Sequence, residues 1–411
     1  MSMIKINSLF KKKKQVTDEA FWKSNAAAEN DTKIADKLEG FSSSIRKYWM
    51  IGAGLLVITA IAILGYVLLH VGNSYVTLSE TKRTDISGSV YTEFGDHFLR
   101  YSSDGVSSLT SHGDVMWKAT FSMQSPMIDI CGSTAVIADQ KGSQIYIFNE
   151  DGPLGQFQTP LPIEKVRVAK QGVVIAILED KEVTWINFYD TKGREIVKNR
   201  TSLDVSGYPL DVALSPDGLK LMVSYLCVTQ GIMNSKVAFY NFDSVGQTEI
   251  NNVVNSVTYE NAVVPKVAFI DKNICVAFKS NGFSIFGGKQ IPELKKEVDF
   301  EGEILSAFHD SKYLGFVFAS DVPEHKYKLK LYDMSGRQTL TKYFDINYKQ
   351  VKIEENNILL FNDSKLEVYS TTGRKKFSGT YKKAILDIIS VKGFRKFMVL
   401  TKDSTDMIRL K

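Results

Sequence analysis

The chain has 411 residues, with 51 Lys+Arg against 46 Asp+Glu and a net charge of +5 at pH 7. Hydrophobic residues make up 44% and aromatics 11%, enough for a sizeable core. Three well-separated cysteines, Cys131, Cys227 and Cys275, exclude a disulfide framework, and each lies in an apolar run that reads as a buried core thiol.

The basic surplus is local. Residues 1–49 hold 10 Lys+Arg and 6 Asp+Glu, so this tail carries +4 of the total and leaves +1 for everything after it. No basic face remains for nucleic acid, and no nucleic-acid partner is expected. Lys11–Lys14 close the stretch "MIKINSLFKKKK" (3–14), in which Ile4, Ile6, Leu9 and Phe10 would dip into an anionic leaflet. Residues 15–45 are polar, with helical patches around Asp18–Lys23 and Thr32–Leu38, and read as a largely flexible tail.

Met50 to Val71, "MIGAGLLVITAIAILGYVLLHV", contains no Asp, Glu, Lys or Arg. Its 22 residues match the roughly 20 that cross a hydrocarbon core as a helix, and Tyr48 and Trp49 flank it as interfacial rings would. A cleaved signal peptide fits less well, because the apolar run is too long, 49 residues precede it and no small-residue cleavage motif follows. The excess of Lys and Arg before the span places the N-terminus in the cytoplasm and the rest of the chain outside the cytoplasmic membrane.

From residue 75 onward, apolar runs of period two alternate with Gly/Asp/Ser/Asn turns, the pattern of an all-β region. One hairpin recurs: "FYDTKGREIV" (188–197), "KLYDMSGRQTL" (330–340) and "VYSTTGRKKF" (368–377). Its turn glycine appears as Gly113, Gly152, Gly193, Gly246, Gly288, Gly336 and Gly373, in steps of 39, 41, 53, 42, 48 and 37 residues. A period near 40–45 with four short strands per unit is the signature of propeller blades. Seven units end in a complete hairpin. Residues 384–391, 396–402 and 406–411 supply three strands of an eighth. The spare strand "YVTLSETK" (75–82) is expected to pair with 406–411 and close the ring. The expectation is an eight-bladed β-propeller, with seven blades as the alternative.

The "Y-D-x-x-G" turns of these hairpins resemble those of quinoprotein-like and WD-repeat-like β-propellers, over roughly residues 75–411. The layout of basic tail, single membrane helix and propeller is similar to an uncharacterised family of Gram-positive bacterial proteins. Quinoprotein dehydrogenases hold their quinone between a tryptophan and a vicinal disulfide near a calcium. This chain has no Cys-Cys pair, and Trp117 and Trp185 sit at strand positions suited to blade packing. The resemblance therefore implies the fold without the cofactor.

No reaction centre emerges. His70, His97, His112, His309 and His325 show no metal spacing, and "SPDG" (215–218) is a turn rather than a nucleophile elbow. No Walker loop or G-x-G-x-x-G is present, so no catalytic, metal or cofactor residues are assigned. Three longer stretches, "VTQGIMNS" (228–235), "NNVVNSVTYENAV" (251–263) and "SDVPEHKYK" (320–328), read as insertions crowded on one face around blades four to six. They offer Met233, Tyr259 and Tyr327 beside Glu324 and His325 as partner-binding residues. The expected function is a membrane-anchored extracytoplasmic module that binds a protein or envelope component without catalysis. The alternatives are an extracytoplasmic hydrolase or lyase acting on glycans, or a single-pass surface sensor.

Overall fold

The structure is a computed structural model that describes residues 48–62, 65, 70–83, 88–110, 113–180, 183–202, 207–229, 231–391 and 393–411. The chain divides into two units, Met1–His70 and Val71–Lys411. The readings made for Lys11–Lys14, for 3–14 and for the rest of the tail to residue 47 lie outside the described residues, as does His112.

In the first unit, residues 48–62 form a helix whose every residue is exposed. Gly65 is helical as well. Among the described residues no helix is long and apolar enough to cross a membrane. The helix expected over 50–71 also ends earlier than its hydropathy suggests, because His70 and Val71 are non-helical. Residues 63, 64 and 66–69 lie outside the described set.

The second unit is built from eight four-stranded antiparallel sheets, each a blade with strands A to D in spatial order. The seven-bladed alternative is thereby excluded. Blades one to seven occupy 90–120, 126–158, 163–202, 208–259, 266–299, 304–344 and 350–380. Blade eight takes strands A to C from Ile385–Ser390, Lys396–Thr401 and Ser404–Leu410, and strand D from Tyr75–Lys82.

Most B strands are apolar on both faces because both faces meet neighbouring blades; His97–Ser102 of blade one, with Arg100, is an exception. Val174–Asp180, Ile274–Lys279 and Tyr313–Ala319 each bury a run of five consecutive residues. Strands D form the outer rim, and Glu293–Asp299 exposes six of its seven positions. The core is a series of seams between blades. The seam of blades three and four joins Ile175, Ile186 and Phe188 to Val212, Leu221 and Tyr225.

The repeated hairpin owes its sequence to its turn. In blade three, Asp190 Oδ1 accepts the Lys192 and Arg194 amides at 2.9 Å each, and the Asp190 amide bonds back to the Arg194 carbonyl. Gly193 has φ +75°, and the register slips between Phe188 and Tyr189, the geometry of a three-residue turn with a glycine bulge. Blade six repeats it with Asp333 and Arg337.

The ring closes where its two ends meet. Tyr75 pairs with Leu410 and Lys82 with Ser404, with one register slip between Thr77 and Ser79. Lys383 bonds Glu80 of the closing strand and Asp406 of its neighbour, each at 2.9 Å. Upstream, the Gly72 amide bonds the Lys376 carbonyl at 3.0 Å and its carbonyl accepts the Ser378 amide at 2.9 Å, so the chain is already docked on strand D of blade seven. A Cβ at Gly72 would lie 1.7 Å from the Lys411 carbonyl oxygen, so only glycine fits there.

Two of the three expected insertions take another form. The stretch 228–235 is the end of a β-hairpin in which Lys220–Thr229 pairs with Ile232–Asn241 through all ten residues. The stretch 251–263 contains strand D of blade four, Val253–Tyr259. The extra length lies instead in the C–D connection 242–252, which makes two 3-10 turns, Gly246–Thr248 and Ile250–Asn252, on the opposite face. Only 320–326 is a B–C loop inserted between Tyr313–Ala319 and Tyr327–Asp333.

Candidate functional site

The blade-four hairpin carries the exposed apolar group of the B–C face. It outruns the seven-residue B and C strands of blade three, Val174–Asp180 and Val183–Tyr189. At its tip Val228 is 67% exposed, Ile232 49% and Met233 58%. Single exposed apolar residues are ordinary, but here Val228 and Met233 are cross-strand partners on one face of the projecting tip and Ile232, paired with Thr229, stands on its other face, so the tip is apolar on both sides.

Tyr259 does not belong to that surface. It is buried between blades four and five with Val237, Val264 and Val267. Strand alternation is the reason: Ser256 and Thr258 face out while Val257 and Tyr259 face in. The ammonium of Lys279, itself buried, lies 5.2 Å from the Tyr259 ring centroid and is held by Glu297 and Asp299. Burial raises the Tyr259 hydroxyl pKa, so it stays neutral.

The blade-six loop is braced from within. His325 Nδ1 lies 3.0 Å from Asp345 Oδ2 and its ring stacks on Tyr343 at 5.6 Å. Lys328 pairs with Asp321 at 2.6 Å, and the Tyr343 hydroxyl donates to the same carboxylate at 3.0 Å. The hydrogen bond from His325 lowers the Asp345 pKa. Tyr327 is half-buried, packed on Phe344 and Tyr348 with centroids 5.2 Å away in each case, while Glu324 is exposed. Met233 and the Glu324–His325 pair thus share a face but stand on blades two apart.

Sequence reading missed the inner strands. Strand A carries charge at the channel, and the sign changes between neighbours. Asp129 of blade two lies 3.9 Å from Arg167 of blade three, and Arg167 lies 2.9 Å from Asp211 of blade four. Lys165 also reaches Asp211, at 3.2 Å. Across the ring, Lys352 of blade seven bonds Glu354 at 2.7 Å and Asp387 of blade eight at 2.9 Å. Burial, against the pull of Arg167, raises Asp129 to about 6. Burial and the nearby Lys266 lower His309 to about 4, which keeps it neutral. The signal was present as an acid inside an apolar strand: "MIDIC" (127–131), "PLDVA" (209–213) and "AILDII" (384–389).

At the A–B end the channel widens into a cavity of about 430 Å³ lined by Glu93, Asp96, Asp310, Glu354 and Glu355, with Lys312 opposite. Glu93 opens to the water in this mouth yet is walled by protein. Desolvation, followed by repulsion from Glu354, raises its pKa to about 7. Glu354 is committed elsewhere, bonded to Lys352 and to the Ser390 amide. Among the described residues no group of three or more His, Cys, Asp or Glu is placed to hold a metal ion.

The sequence matches the Family of unknown function (DUF5711) over residues 69–410. The chain belongs to DUF5711. The match takes in every blade and the closing strand, so the propeller is what this DUF5711 protein shares with its family. No curated protein matches the sequence. In fold the DUF5711 propeller is similar to BamB from Moraxella catarrhalis, with TM-score 0.51 and 10% identity over 82% of this chain and 100% of that one. It is also similar to Sqt1 from Chaetomium thermophilum, with TM-score 0.52 and 11% identity over 82% and 98% of the two chains. At these identities the likeness is one of fold.

Proposed function

We propose that this DUF5711 protein is a non-catalytic β-propeller held outside the cytoplasmic membrane, in a Gram-positive envelope, that binds a protein through its B–C face. The exposed apolar tip of the blade-four hairpin, Val228, Ile232 and Met233, carries this reading. Aliphatic side chains on a rigid projecting hairpin suit an apolar groove on a protein better than a hydrated glycan. The propeller folds of the structures it resembles are consistent with such a role. The membrane part rests on the uncharged stretch 50–71 and on a helix that bares Trp49, Leu56, Ile58 and Ile61, apolar on all sides and in need of lipid to cover it.

Replacing Val228, Ile232 and Met233 together by serine should abolish co-purification of the partner from solubilised membranes and leave the melting temperature within about 2 °C. Undiminished co-purification would overturn the reading. Surface protease on protoplasts should degrade the propeller and spare residues 1–49, and a protected C-terminus would contradict the topology.

A second reading, a hydrolase or lyase acting on glycans, draws on the carboxylates at the channel mouth, where Glu93 stays partly protonated near neutrality. The commitment of Glu354 to Lys352 and to a backbone amide weighs against it. Turnover of a glycan that Glu93→Gln abolishes would establish it.

A further inference from the structure

The seam between blades eight and one has the smallest buried apolar cluster of the ring. Its cluster has seven buried apolar residues, where the seam between blades seven and eight has twelve. The space left is a cavity of about 210 Å³. Tyr91, Phe98, Met398 and Met407 form its apolar floor, and Arg83 and Arg100 stand at its walls. Phe98 and Arg100 share one face of the strand His97–Ser102, with Leu99 and Tyr101 turned to blade two, so strand alternation itself aims the guanidinium into the seam.

Arg100 is half-buried and makes no ion pair among the described residues; its hydrogen bond is to Ser107 Oγ, at a long 3.4 Å. The lining around Arg100 also holds Lys82, Ser79, Thr81 and Thr405 but, among the described residues, no carboxylate, so the guanidinium is poised for an anion, which its planar fork binds through two parallel bonds. Arg83 is fixed beside it, bonded to the Thr401 carbonyl at 2.9 Å with its guanidinium 5.2 Å from the Tyr91 ring centroid. Two methionines make the floor adaptable and give sulfur contacts to an aromatic ring. The volume is below the about 300–1,000 Å³ of a drug-sized site, so the ligand is small.

We propose that this seam binds a small carboxylate with an apolar, preferably aromatic, body, its carboxylate on Arg100 and its body on Phe98, Met398 and Met407. One wall includes Ser79 and Thr81 of the closing strand, so occupancy would also brace the ring where its two ends join.

The test is titration calorimetry on the full chain in lipid nanodiscs, with empty nanodiscs as the blank. The probes are 4-phenylbutanoate, 4-phenylbutanamide, which has the same body without charge, and acetate, which has the charge without the body. The acid should bind at least tenfold more tightly than either other probe. Arg100→Gln should erase its advantage over the amide, and Arg100→Lys should retain part of it. Should Arg100→Gln fail to fold, Met407→Trp fills the cavity with the arginine intact and should remove binding of the acid. Equal affinity for acid and amide, binding unaffected by either variant, or no binding of the acid by the parent chain would each overturn the proposal.

Discussion

Asp211 on strand A of blade four accepts the backbone N–H of Val267 on strand A of blade five, with Oδ2 3.0 Å from the nitrogen. Asp129 does the same to Val168 at 2.8 Å, and Glu354 to Ser390 at 2.5 Å. Strand A has no sheet neighbour on its channel side, so its inward N–H groups need another acceptor. In three of the eight junctions a carboxylate of the preceding blade supplies it. These acids therefore act as links between blades, and their burial beside Arg167 or Lys352 follows from that position.

Removing such a link should cost stability. Asp211→Ala would leave the Val267 amide, Arg167 and Lys165 without their acceptor, a loss of about 3 kcal/mol. Asp211→Asn, which keeps one acceptor oxygen, should lose less. Urea unfolding of the two variants checks this. A change below about 0.5 kcal/mol for the alanine variant, typical of an unimportant surface site, would contradict the linking role.

Glu93 gives the propeller a pH dependence of known sign. Its pKa of about 7 in the fold exceeds the ordinary 4.5, so the folded state holds the proton more tightly. Its contribution is full below about pH 4.5 and is lost as pH rises through 7. The groups around it are Glu354, Lys352, Glu355 and Asp387, with Asp96, His97, Asp310 and Lys312 lining the same mouth. Glu93→Gln should therefore melt higher than the parent at pH 8 and no higher near pH 4.5. His309, whose lowered pKa tilts stability the other way below pH 6.5, is common to both chains and cancels in the comparison. Parallel melting curves across this range would refute the assignment.

The three cysteines should differ in reactivity. Cys275 is fully buried, and its desolvated thiol is held well above the usual pKa. Cys131 and Cys227, expected as core thiols, are only half-buried. Burial still raises the Cys131 pKa, so it should react slowly, and Cys275 should react only on unfolding. Mass spectrometry after a timed maleimide pulse distinguishes the sites. Fast labelling of Cys275 in the folded protein would place it outside the seam of blades four and five.

The closing strand should be indispensable to folding. A chain that begins at Val71 keeps Tyr75–Lys82 and its ladder to Ser404–Leu410; one that begins at Asp85 leaves that last strand as a bare edge. The first should melt cooperatively and the second should aggregate or melt lower. Equal melting temperatures would refute the structural role of the closing strand.

The blade count was legible because five of the seven recurring turn glycines, Gly113, Gly152, Gly193, Gly336 and Gly373, take φ > 0, and that need survives divergence of everything around it. Blade four was misread because its C–D connection spends eleven residues, 242–252, on two 3-10 turns. The alternating stretch 253–259 that follows then looked like a connection. Tyr259 was misplaced with it, since the phase of a strand cannot be read until its start is known. The strand-A acids were overlooked because a lone Asp in an apolar strand has no meaning until the neighbouring blade brings it an amide or an arginine. The blade-eight to blade-one seam joins residues more than 300 positions apart, and no local pattern announces its cavity.

The central claim is that the B–C face, led by the blade-four hairpin, is where this protein meets its partner. A photo-crosslinking residue at position 232 tests it, with position 250 as the control. Ile232 is 49% exposed at the hairpin tip, and Ile250 is 85% exposed on the C–D connection of the same blade, on the opposite face. Irradiation of intact cells should give a discrete crosslinked protein band from position 232 and none of that mass from position 250. The same band from both positions, or from position 250 alone, would contradict the account.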